Sequence, residues 1–125
     1  MKTTKGMTEA AYKAHSIRKP SKYRNTKVET PDGKFDSKRE YARWRELKLL
    51  EKAGAISCLQ RQVTYELAPS VVIQGRKRPP IRYVADFLYV ENGQTVIEDV
   101  KGVVTAVYRL KRHLMMSLGY EIRET

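Results

Sequence analysis

A single cysteine, Cys58, leaves no partner for an internal disulfide, and with only two histidines there is no Cys/His cluster of the kind that holds structural zinc. No apolar run approaches the ~20 residues that a membrane helix needs. The N-terminus also lacks the apolar core of a signal peptide. These absences predict a soluble, reduced, cytoplasmic protein with no membrane partner. Acid is scarce as well: none occurs between Glu9 and Glu29, a stretch that carries Lys13, Arg18, Lys19, Lys22, Arg24 and Lys27. Over the 125 residues, 25 Lys and Arg face 14 Asp and Glu, a formal net charge of +11. Such a balance favours a polyanionic partner, nucleic acid before membrane surface. The length suits one domain with a modest core.

The chain is organised around Ile81–Gly102, which reads as a β-hairpin. Apolar runs rich in Val, Ile, Tyr and Phe flank Asn92-Gly93, the strongest short signal for a two-residue type I′ turn. With those two residues as the loop, Glu91 faces Gln94 and Asp86 falls opposite Asp99, with Lys101 opposite Val84. Alternation then sends Asp86, Asp99 and Lys101 to one face of the sheet and Glu98 to the other. Directly paired residues lie ~4.5–5.5 Å apart, so two carboxylates and an ammonium come within reach of one small ion. A salt-bridged pair at a sheet edge is the bland alternative, but two acids opposite each other repel. A hard divalent cation reverses that sign.

Around the hairpin, residues 1–30 read as a basic N-terminal arm that orders on a phosphate backbone through Lys19, Lys22, Arg24 and Lys27, and residues 31–125 as the folded domain. Pro31-Asp32-Gly33 predicts a turn between short extended pieces. A helix is expected from Asp36-Ser37 to Ala53, stopped by Gly54. Ser37 to Glu40 fits a capping box. Glu40 also shares the stripe of Trp44, Leu47 and Glu51 that should meet the sheet, so it is open as either a cap or a site residue. Ile56–Leu67 alternates as a strand, with Gln60 and Gln62 on its other face as possible accessory residues. Ala68–Pro80 reads as a loop, because its prolines end any strand, and Arg76, Lys77 and Arg78 are free there to meet phosphates. A second helix follows Thr105, with Val107, Leu110, Leu114 and Leu118 as its buried stripe, and Lys111 bordering the site. Met115 and Met116 are expected in the core, Gly119 as a cap, and Tyr120–Arg123 as a last short strand. Tyr83, Phe87 and Tyr89 share one face, which the helices should cover.

Asp86 followed by Asp99-Val100-Lys101 resembles the PD-(D/E)XK nuclease signature, with Ala85 in place of the proline. Phe35-Asp36-Ser37-Lys38-x-Glu40 is similar to the start of the first helix in several nucleases of that superfamily. In the branch with Holliday-junction resolvases and transposon end-cutting nucleases, the matching glutamate joins the site. The order helix, strand, strand, strand, helix, strand resembles the αβββαβ core of that superfamily over about residues 35–124. Ser21–Asn25 (SKYRN) and Val100-Lys101-Gly102 look like features of a small phage-encoded group of nucleases within it.

The resemblance implies an α/β, restriction-endonuclease-like fold: a central mixed sheet flanked by helices. It implies a Mg²⁺-dependent endodeoxyribonuclease, with Mn²⁺ able to substitute and no small-molecule cofactor. Asp86, Asp99 and the Val100 carbonyl would hold the ion, with Glu40 bound through water or to a second ion. Lys101 would orient the attacking water or stabilise developing charge. By analogy the substrate is branched DNA, Holliday junctions above all, in phage replication or recombination. Symmetric cutting then calls for a homodimer. The rival reading is a non-catalytic DNA-binding module on the same fold.

Overall fold

The computed structural model describes residues 27–125. In chain order they form β1 (Val28–Thr30), β2 (Gly33–Phe35), α1 (Lys38–Lys52), β3 (Ser57–Ala68), β4 (Val71–Ile73), β5 (Arg76–Arg78), β6 (Ile81–Glu91), β7 (Gln94–Asp99), α2 (Ala106–Ser117) and β8 (Ile122–Glu124). The central sheet has the order β3-β6-β7-β8. Its first two pairings are antiparallel, and β8 joins β7 in parallel after the α2 crossover. This is a mixed α/β architecture. Two-stranded ribbons, β1-β2 and β4-β5, stand outside the sheet. The first includes residues 28–30, which the sequence had assigned to the arm.

The β6–β7 hairpin forms in the expected register. Asn92 and Gly93 take φ of 52° and 77°, the left-handed pair of a type I′ turn. Pairing runs from Glu91↔Gln94 to Phe87↔Glu98. Asp86 and Asp99 come next in sequence, one step beyond the last bridge. Asp99 is aligned instead with Glu124 of β8.

Two cores lie on opposite faces of the sheet. Leu47 and Trp44 of α1 pack with Ile56, Phe87, Tyr89 and Val96. Tyr108 and Met115 of α2 pack with Tyr83, Ala85, Leu88 and Ile97. Tyr83 and Ala85 are thus on the α2 side while Phe87 and Tyr89 are on the α1 side, although all four are odd-numbered residues of one strand. β3 makes the same change: Leu59 joins the α1 core and Tyr65 and Leu67 the α2 core. The ladder pairs Arg61 with Phe87 and Val63 with Ala85 but skips Gln62 and Asp86, and Gln62 has φ 55°. An irregularity of this kind re-aims side chains. The shared face expected for Tyr83, Phe87 and Tyr89 is therefore split, with Tyr83 buried under α2 and Phe87 and Tyr89 under α1.

Two further expectations are corrected. Residues 68–80 are not a loop. Val71↔Arg78, Val72↔Lys77 and Ile73↔Arg76 form a ladder around Gln74-Gly75, and these two residues take φ of 51° and 79°. The sum of paired numbers that relates Ala68 to Ile81 also relates Val71 to Arg78. β4-β5 is thus the continuation of the β3-β6 hairpin. The prolines at 69, 79 and 80 interrupt its hydrogen bonds without changing its course.

The second correction concerns α2. Val107, Leu110 and Leu118 are more than half exposed, and Leu114 is half-buried. The inward positions are Tyr108 and Met115, two turns apart, and Met116 points outward. Counting aliphatic residues selected the wrong stripe because Tyr108 buries a large ring while sending its hydroxyl to Glu124, 2.6 Å away.

Candidate active site

Two helices begin at the same cleft. At α1, the Glu40 N–H donates to Ser37 Oγ at 3.1 Å; at α2, the Tyr108 N–H donates to Thr105 Oγ1 at 3.1 Å. Both capping residues line a cleft of about 330 Å³, together with Asp36, Arg39, Glu40, Asp86, Asp99, Val100 and Lys101. Helix N-termini carry partial positive charge and favour anions.

The acids reach the cleft by different routes. Asp86 projects from the point where β6 changes face, and its Oδ2 accepts the Val100 N–H at 2.8 Å. Asp99 ends β7, is 3% exposed, and accepts a hydrogen bond from the Tyr83 hydroxyl. Glu40, also 3% exposed, arrives from the first turn of α1 and accepts Gln62 Nε2 at 3.2 Å. Its backbone N–H serves the cap while its carboxylate serves the cleft. Burial, then the Asp99 carboxylate and Glu40, push Asp86 up to about 8. Burial and Asp36 likewise raise Glu40, against a smaller opposing pull from Arg61.

Lys101 places Nζ 3.3 Å from Asp99 Oδ1 and 3.9 Å above the Tyr108 ring. Its backbone is held at both ends: the N–H donates to the Thr125 carbonyl, and its own carbonyl accepts Arg39 Nη1. Glu98 points to the other face, as alternation predicts. There it is fully buried and takes a two-point contact from Arg43, with further bonds from Tyr89 and Thr125. Burial raises its carboxyl, but these donors together hold it below the ordinary value. Glu98 is a structural counter-ion.

Asp86, Asp99, Lys101, Val100 and Glu40 are thus brought together, with Gln62 at their edge. A second opening, of about 350 Å³, runs from Asp86, Asp99 and Lys101 past Gln62 to Arg82, Val84 and Lys111. Gln60 is exposed and lines neither opening. Arg76, Lys77 and Arg78 are exposed on β5. Lys27 lies 3.7 Å from Asp36, while Lys19, Lys22 and Arg24 fall outside the described residues. Among the described residues, no three of His, Cys, Asp and Glu stand close enough to share one ion in this conformation.

Tyr83, Tyr108 and Arg39 were not foreseen. Strict alternation put Tyr83 on the face away from Asp86, so only the face change reveals it. Tyr108 was hidden by the aliphatic stripe beside it.

Residues 20–125 match the family described as "Protein of unknown function (DUF1064)". The chain belongs to that family. No curated protein and no solved structure matches it. Every cleft residue named above falls within the DUF1064 match, as do Lys22, Arg24 and Lys27.

Proposed function

We propose that this DUF1064 protein is a Mg²⁺-dependent endodeoxyribonuclease with a restriction-endonuclease-like core. The observation that carries the reading is a cluster of acids without matching cations. Asp86, Asp99 and Glu40 converge on one cleft, and among the described residues the ion pair of Lys101 is with Asp99 alone. Among the described residues, neither Asp86 nor Glu40 has a cation within salt-bridge distance. Carboxylates withdrawn from water in that state must take up either a proton or a partner ion. An all-oxygen donor set selects Mg²⁺ or Mn²⁺.

Asp86 and Asp99 would hold the ion with the Val100 carbonyl, and Glu40 would act through water or at a second ion. Bound there, the metal supplies Lewis acidity that activates water and neutralises charge on the phosphate. Tyr83 and the Val100 amide fix the two carboxylates. Tyr108 holds Lys101 beside Asp99, so its ammonium can orient the nucleophile or meet charge developing on phosphorus. The capped ends of α1 and α2 favour the substrate's phosphates. Hydrolysis would leave 5′-phosphate and 3′-hydroxyl ends.

Selectivity would rest mainly on backbone and shape, and branched DNA acted on by a homodimer is the substrate we propose. Labelled four-way junction, fork, duplex and single strand, each incubated with Mg²⁺, Mn²⁺ or EDTA, test both levels. Paired symmetric nicks on the junction, absent with Asp86→Asn and Lys101→Ala, are expected. Cutting of every substrate would keep the nuclease and remove the junction preference. Metal-independent binding with no cutting would identify a DNA-binding module instead.

A further inference from the structure

Among the described residues, nothing covers the β4-β5 ribbon. All six of its residues are exposed, including Val71, Val72 and Ile73 at 47%, 69% and 51%. A two-stranded ribbon with nothing packed on it is marginal in water. Apolar side chains held out on it are a cost unless something meets them. Its other strand is Arg76-Lys77-Arg78, and no acid occurs between Glu66 and Asp86. Each apolar residue is paired with a basic one: Val71 with Arg78, Val72 with Lys77, Ile73 with Arg76. Both faces of the ribbon therefore carry positive charge beside apolar surface. Toward the cleft, Arg82 and Lys111 line the opening that also holds Asp86 and Lys101. Basic residues thus lead from the acids along β6 to the ribbon.

We infer that β4-β5 is a groove-entering element that grips double-stranded DNA beside the cleaved phosphate. The major groove of B-form DNA admits a two-stranded ribbon, whereas that of A-form RNA is too narrow. The alternating pattern suits that place, since Arg and Lys can bond phosphates or guanine edges while Val and Ile contact thymine methyl groups. From Asp86 back to Gly75 is eleven residues, at most about 36 Å at ~3.3 Å per residue. That is roughly one helical turn of duplex, ~34–36 Å. The ribbon would reach a groove up to one turn from the cut, on one side of it. This deepens the nuclease proposal by naming the form of DNA required, and it rests on that proposal only for the position of the cut.

The test measures binding without cleavage. Asp86→Asn protein in EDTA is titrated with labelled duplexes of 8 to 30 base pairs at several salt concentrations, beside the same protein carrying Arg76→Gln, Lys77→Gln and Arg78→Gln. The triple change should weaken binding to long duplexes at least tenfold, flatten the salt dependence by two to three ions, and leave an eight-base-pair duplex unaffected. Guanine N7 should be protected from methylation about one turn to one side of the cleft, and that protection should vanish in the triple variant. Unchanged affinity and salt slope in the triple variant would overturn the inference while leaving cleavage untouched. Equal binding of duplex RNA would overturn groove entry. Ribbon-dependent DNA binding by a wild-type protein that cuts nothing would sustain the ribbon and remove the nuclease. Circular dichroism of the triple variant, whose substitutions are all at exposed positions, checks that it is folded.

Discussion

Asp86 is the residue on which folding and chemistry make opposite demands. Its pKa rises from 3.8 to about 8 in the fold. The native state therefore holds a proton that the unfolded chain has lost, and Asp86 destabilises the protein progressively as pH climbs from about 4 to 8. Without metal, Asp86→Asn should raise Tm relative to wild type, by little at pH 4 and most at pH 8. Millimolar Mg²⁺ should raise the wild-type Tm at pH 8 and not that of the variant. Thermal scans across that range read both effects, and a pH-independent difference would contradict the assignment. Glu98 shows the reverse design. Arg43→Ala leaves it buried with only Tyr89 and Thr125 as donors, and should cost about 3 kcal/mol in urea unfolding. The hairpin register as far as Phe87 and Glu98, and the contrary direction of Glu98, were legible from Asn92-Gly93 and the period of two; Asp99 aligns with Glu124 rather than with Asp86. Tyr83 was not, because alternation is a local rule that the paired irregularity at Gln62 and Asp86 overrides.

Among the elements, α1 followed its sequence signals closely, since a serine cap, a stripe and a glycine stop all agree. Replacing Ser37 with Ala should cost about 1 kcal/mol. It should also loosen Glu40, so any activity should fall by more than the loss of folded protein explains. α2 had two competing stripes, and aliphatic content pointed to the exposed one. Met115→Ala should cost about 2–5 kcal/mol, whereas Leu110→Gln should stay within ~0.5 kcal/mol. Denaturant midpoints for the pair decide between the two stripes. The β4-β5 ribbon escaped notice for a different reason. Proline removes a ladder donor and so suggests a break, yet here a matched gap on the facing strand absorbs the interruption.

For the molecule as a whole, charge and element order were visible in the sequence, whereas Glu40 stayed open between a helix cap and a partner of the hairpin acids. The positions of the helices on the two faces depended on contacts between residues far apart in the chain, which no short pattern encodes. The same is true of the closing strand. Thr125 donates its N–H to the Asp99 carbonyl, accepts the Lys101 N–H, and donates its hydroxyl to Glu98. β8 thus works as a latch: a three-residue strand keeps β7 from being a sheet edge and holds the aspartate and lysine of the cleft in line. Removing residues 122–125 deletes no residue that lines the cleft. Even so, amide exchange at Asp99 through Lys101 should accelerate far more than in β3.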